Sequence, residues 1–188
     1  IGRLGEAEKL LAGFTSAPLP PALEAARALA IGGIALRRLQ PEPARAAFAR
    51  AGEAARRAGI AALAAEVEAA AQILEAPAAQ FISGGIRRSL DLAEVAALLA
   101  SQDFIIDSCR NVVRQAGTAV PLATRPVLFA LARCLAEAWP ADASRQTLLT
   151  RAFRAKEADE SHRARLRVEI GRLRAALHGL AQIDATGR

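Results

Sequence analysis

A chain of 188 residues is long enough to bury one or two cores, and none of its apolar runs approaches the roughly 18 residues of a membrane span, so no membrane partner is expected. Much of its 53% apolar content is alanine, with no Tyr or Met and a single Trp, which favours closely packed helices over a core of large side chains. The net charge of +6 is lopsided: residues 1–100 hold 11 Lys and Arg against 10 Asp and Glu, residues 101–188 hold 14 against 9, and a basic second half fits a polyanionic partner.

No basic stretch followed by an apolar leader opens at Ile1, and Cys109 and Cys134 lie far apart in unlike contexts, so a reducing, cytoplasmic setting is expected rather than a disulfide framework. Cys134, on the apolar side of a helix, reads as a small core residue. His162 and His178 make no metal-ligand spacing with either cysteine, so neither a metal nor another cofactor is expected. With no methionine in the chain, the expectation is of an excerpt whose first residue is not the native start.

In chain order, Gly5–Phe14, Ala22–Arg38, Pro43–Arg57 and Ile60–Leu74 each place apolar residues at helical spacing. The breaks at Pro18-Leu19-Pro20-Pro21, Gln40-Pro41-Glu42-Pro43 and Gly59 are short, which sets neighbouring helices antiparallel as stacked hairpins. Ala44, Phe48 and Ala51, with Gly32 twelve residues before Ala44, have the spacing of a tetratricopeptide repeat, and Ala7 and Leu11 echo it 37 residues upstream where that repeat spaces units by 34. Residues 1–75 thus resemble a tetratricopeptide array, although Ala28 and Ala35 stand where aromatics are usual and the closing proline is missing. The resemblance implies a concave protein-binding surface; a plain helical bundle that caps and spaces the next domain is the other reading.

Residues 76–90 lose the periodicity, and 76–102 reads as a connector holding one short helix. Ser83-Gly84-Gly85 resembles part of a phosphate loop, but neither a Gly-Lys-Ser/Thr nor a preceding strand supports that, so the stretch reads as connector. Asp91 and Glu94 have the spacing of a capping box ahead of Val95–Leu99.

From Asp103 the pattern becomes extended. Phe104–Asp107 is a short apolar run, and Asn111–Arg114 and Thr118–Val120 form a hairpin turning at Ala116-Gly117. Thr124 is placed to cap the next helix, which Arg125-Pro126 opens and Pro140 stops, with Leu128, Phe129, Ala132, Leu135 and Trp139 as its core face. Ser144 caps a further helix that turns Leu148, Leu149, Ala152 and Phe153 inward. After the polar loop 154–160 comes a helix over about 161–177, and Ile183–Arg188 reads as a strand that begins to turn as the chain ends.

The 161–177 helix carries the strongest functional signal. At 100° per residue Leu166, Ile170, Leu173 and Leu177 form one narrow apolar stripe. Arg163, Arg167 and Arg174 flank it on one side and Arg165 and Arg172 on the other, with Ala164, Val168, Gly171 and Ala175 as a ridge of small residues facing away. Such a ridge can approach base edges in a major groove while guanidinium groups reach phosphates on either wall.

Residues 103–188 resemble the winged helix-turn-helix output domain of bacterial response regulators. Arg125–Phe129 and Ser144–Leu148 match its first two helices, and Leu166–Arg174, with its Arg172-Leu173-Arg174, matches its recognition helix. The resemblance implies double-stranded DNA as partner, with Arg163, Arg165, Arg167, Val168, Arg172 and Arg174 facing it, Val168 against a thymine methyl, and Thr186 and Arg188 in an incomplete wing. Glu169 puts a carboxylate in the middle of the helix, either paired with Arg165 at i−4 and Arg172 at i+3 or accepting from a cytosine amino group. No acidic phosphoacceptor domain precedes it, so no phosphorylation switch is implied.

The expected fold is therefore mainly α with a small β component: tetratricopeptide-like hairpins over 1–75, a connector over 76–102, and a winged helix-turn-helix domain with an N-terminal antiparallel sheet over 103–188. The expected function is a DNA-binding transcriptional regulator whose helical repeat takes a protein partner or signal, and a homodimer on paired half-sites is compatible with it. The alternative is a non-catalytic scaffold whose winged helix binds protein. Adjacent Ser161 and His162 diverge by 100° on a helix and make no catalytic dyad, so the chain is not read as an enzyme.

Overall fold

The computed structural model describes residues 3–15, 18–153 and 160–186. With 61% helix and 12% strand among the described residues, the protein is mainly α with a small antiparallel β component, the class its periodicities predict. It divides into two compact units, one of residues 1–80 with 89–97 and the other of residues 81–88 with 98–188.

The first unit is built from α1 (Leu4–Ala12), which runs into a 3-10 turn at Gly13–Thr15, then α2 (Pro21–Arg37), α3 (Pro41–Ala58) and α4 (Ala61–Gln72). Prolines open α2 and α3 because the first turn has no use for an N–H donor, and α3 closes at Gly59 with φ at 66°. Pro41 sits at the start of α3, two residues ahead of the expected Pro43. Alanines at the helix interfaces allow close approach: Ala25, Ala28, Ala51, Ala54 and Ala55 are buried with Val67. A neighbouring cluster joins Ala35, Ala44, Phe48, Leu74 and Leu92. At Gly32 the contact is closer still. A Cβ there would lie 2.4 Å from Cε1 of Phe48, inside any real carbon–carbon contact, so the ring occupies the space a side chain would need.

Residues 79–90 are not featureless connector. β1 (Ala79–Ser83) and β2 (Ile86–Leu90) form a two-stranded hairpin, with the Ala78 N–H donating to the Leu90 carbonyl at 2.7 Å. Its two-residue turn is Gly84-Gly85, at φ 55° and 78°, the pair of positive angles a tight hairpin turn needs; the glycines shape a turn and not a phosphate loop. α5 (Leu92–Ala100) follows, opened by the reciprocal box its sequence predicts: the Glu94 N–H donates to Asp91 Oδ1 at 2.8 Å and the Asp91 N–H to Glu94 Oε2 at 3.0 Å.

In the second unit β3 (Ile105–Asp107), β4 (Val112–Gln115) and β5 (Thr118–Pro121) form an antiparallel sheet in that order. The register aligns Ile106, Val113 and Val120 across the sheet, and all three pack into one core. α6 (Pro126–Ala138), α7 (Arg145–Phe153) and α8 (Glu160–Ala176) pack against one another, and α6 also touches β3. Leu131, Leu149, Leu173 and Leu177 are fully buried where these helices meet. Ser144 caps α7, its Oγ accepting from the Thr147 N–H at 3.1 Å.

Three expectations need correction in this unit. Arg125, not Thr124, stands at the N-cap of α6, and it makes no side-chain cap; the residue before Pro126 is kept out of the helical region and so becomes the boundary. Trp139 is 71% exposed rather than part of the core face, because α6 ends at Ala138 and Trp139 turns extended, with ψ at 137°, ahead of Pro140. Residues 181–186 form no strand, so the incipient wing strand is absent from the described part of 183–188; Gly187 and Arg188 lie outside the described residues.

The two thiols differ as their contexts suggest. Cys109 is exposed, whereas Cys134 is buried in α6 and burial pushes its thiol pKa up. At mildly alkaline pH a chromogenic disulfide reagent is expected to titrate Cys109 in the native protein and Cys134 only after unfolding. Equal rates at both thiols in the folded state would contradict this packing.

Candidate nucleic-acid interface

α8 is held from behind. Leu166 and Leu173 are buried, Ile170 is half-buried, and Leu177 continues the stripe just past the helix end. Burying side chains of this size stabilises by about 2 kcal/mol each, so the stripe fixes the rotation of the helix about its axis. The face opposite is open. Ala164, Val168, Gly171 and Ala175 are all exposed, and a Cβ added at Gly171 would meet nothing within 4 Å.

The arginines on either side of this ridge are exposed, and each has a neighbour. Arg163 and Arg167 share Glu160, at 3.4 and 3.9 Å. Arg174 Nε donates to the Ile183 carbonyl at 2.7 Å, which ties the segment after α8 back along the helix. On the other flank the Arg165 guanidinium lies 4.8 Å from the centre of the Phe153 ring, a cation–π contact. Arg172 Nη1 donates to Glu169 Oε1 at 2.8 Å.

Of the two partners the sequence offers Glu169, the structure selects Arg172. The Glu169 side chain is only 12% exposed and sits between the apolar stripe and the Arg172 row, away from the ridge, so it is not placed to accept from a base. Beside it opens a cleft of about 420 Å³ lined by Arg125, Pro126, Val127, Leu128, Glu169 and Arg172.

The structure thus brings Arg163, Arg165, Arg167, Val168, Arg172 and Arg174 onto one exposed helical surface. It does not bring Thr186 there as part of a wing: Thr186 Oγ1 donates to Asp142 Oδ2 at 2.8 Å, on the loop between α6 and α7. Arg188 lies outside the described residues. Phe153 and the Ile183 carbonyl are contributors that sequence spacing leaves out, since neither stands at helical spacing from its arginine. Glu160 was legible in principle, three and seven residues before Arg163 and Arg167.

Among the described residues no group of three or more His, Cys, Asp or Glu is placed to hold a metal ion, and no helix is long and apolar enough to cross a membrane. No protein-family model, no curated protein and no solved structure matches this chain.

Proposed function

We propose that the chain is a DNA-binding transcriptional regulator, with α8 as the helix that enters the major groove and the first unit as a protein-interaction or signal-input module. One observation carries the reading: an exposed ridge of small residues, bordered on both sides by arginines, on a helix whose opposite face is pinned in a core. Small side chains on the ridge let the helix axis come close to base edges. The guanidinium groups then reach phosphate oxygens or guanine, and Val168, 52% exposed, meets a thymine methyl.

The order of elements supports the same reading, since an antiparallel sheet followed by three mutually packed helices is what the winged helix-turn-helix resemblance implies. In the first unit, Gly32 against Phe48, with Ala44 and Ala51 fully buried, is the helix-pair contact that the tetratricopeptide resemblance implies.

The test is a fluorescence-anisotropy titration of the whole chain against a random duplex at several salt concentrations. If the five arginines of α8 each neutralise one phosphate, log K is expected to fall against log salt with a slope near roughly −4.5. A slope near zero, or no binding at low salt, rejects the proposal.

A further inference from the structure

Taking α8 as the DNA-facing helix, a reading on which this role rests, we infer that Glu169 is a positioning residue that holds Arg172 in the geometry it needs to meet a phosphate. The two glutamates of α8 sit in opposite situations. Glu160 is 71% exposed and reaches Arg163 and Arg167 only at 3.4 and 3.9 Å, so it is a loose competitor for guanidinium groups. Glu169 is buried to 12% exposure on the flank of the helix, and it accepts from Arg172 at 2.8 Å while the Arg172 side chain remains 64% exposed.

A buried carboxylate cannot follow its partner into solvent. It fixes one Nη1–H of Arg172 at the helix flank and leaves the other donors of the guanidinium free for an oxyanion. Without it the long side chain has the adjoining cleft by Arg125 and Leu128 to wander into, and ordering it then weakens each encounter with DNA.

Charge and positioning predict opposite signs. By field alone, deleting either negative charge beside DNA tightens binding. By positioning, deleting Glu169 loosens it even though the protein becomes more positive. Affinity for one duplex at fixed salt is therefore compared, by anisotropy on the whole chain, for wild type, Glu160→Gln, Glu169→Leu and Glu169→Gln, each Glu169 variant also in an Arg172→Ala background. Glu160→Gln is expected to tighten binding, and Glu169→Leu to weaken it about five-fold. Glu169→Gln, which keeps an acceptor for Arg172, is expected to recover most of that loss. Neither Glu169 change is expected to weaken binding once Arg172 is gone.

Should Glu169→Leu not fold, Glu169→Gln carries the same comparison, with a smaller loss of the same sign that disappears with Arg172→Ala. Tighter or unchanged binding by the Glu169 variants, or an equal loss in both backgrounds, overturns the positioning role and leaves DNA binding standing. Failure of wild type to bind any duplex at low salt removes the proposed function and this role with it.

Discussion

Phe48→Ala is expected to destabilise the helical unit by about 3–5 kcal/mol, the usual cost of emptying a buried phenylalanine site. Phe48 is 3% exposed, and its ring fills the place where Gly32 on α2 has no side chain, so ring and glycine are two halves of one contact. The pairing makes the sign of a second substitution depend on the first. In wild type, Gly32→Ala drives a methyl to within 2.4 Å of a ring that is itself enclosed, and overpacking of that kind costs roughly 1–3 kcal/mol, more than the gain of about 1 kcal/mol that alanine brings to a helix. In a Phe48→Ala background the ring is gone and the same methyl fills part of the cavity. There Gly32→Ala is expected to stabilise by about 1 kcal/mol. Urea unfolding followed by far-ultraviolet circular dichroism for the four proteins reads the cycle, and the same sign in both backgrounds would mean that Gly32 and Phe48 are not coupled in this way.

Features set by near neighbours in the chain are the ones that sequence encodes well. Helical spacing, proline starts and reciprocal caps depend on neighbours a few residues away, which is why the Asp91–Glu94 box, the Ser144 cap and the Ala116-Gly117 turn agree with their patterns. The rotation of α8 was legible for the same reason. Four apolar residues at 100° spacing determine which side is buried, and the exposed ridge and arginine rows follow from it.

Sequence and structure part where two local signals compete. Around Ser83-Gly84-Gly85 the loss of helical periodicity reads as connector, whereas the Gly-Gly pair between Phe81-Ile82 and Ile86 is the signature of the two-residue hairpin that the structure shows there. Trp139 kept the apolar periodicity of α6 but stood next to Pro140, and the proline ended the helix before the tryptophan could join its face. The partners of the arginines were harder. Phe153 meets Arg165 across the break between α7 and α8, and the Ile183 carbonyl meets Arg174 because the chain folds back after α8; both are tertiary contacts with no helical spacing to announce them.

Removing Arg172 and Arg174 together is the substitution with the largest expected effect on the proposed DNA contact. Each phosphate neutralised contributes about 0.9 to the salt slope, so Arg172→Ala with Arg174→Ala is expected to reduce the slope by about 1.8 and, measured against a reference near 1 M salt, to weaken binding roughly 60-fold at 0.1 M. The loss is expected on every duplex, since a contact to phosphate carries no sequence information. Val168→Ala is the contrasting case: it should relax preference at a single thymine and leave the salt slope alone. Arg174 also holds the Ile183 carbonyl, so part of any loss can come from loosening the segment after α8. Salt separates the two causes, because a structural loss persists at high salt whereas counterion release fades toward 1 M. A deficit that is the same at every salt concentration would show that these two arginines support the fold and do not meet the DNA backbone.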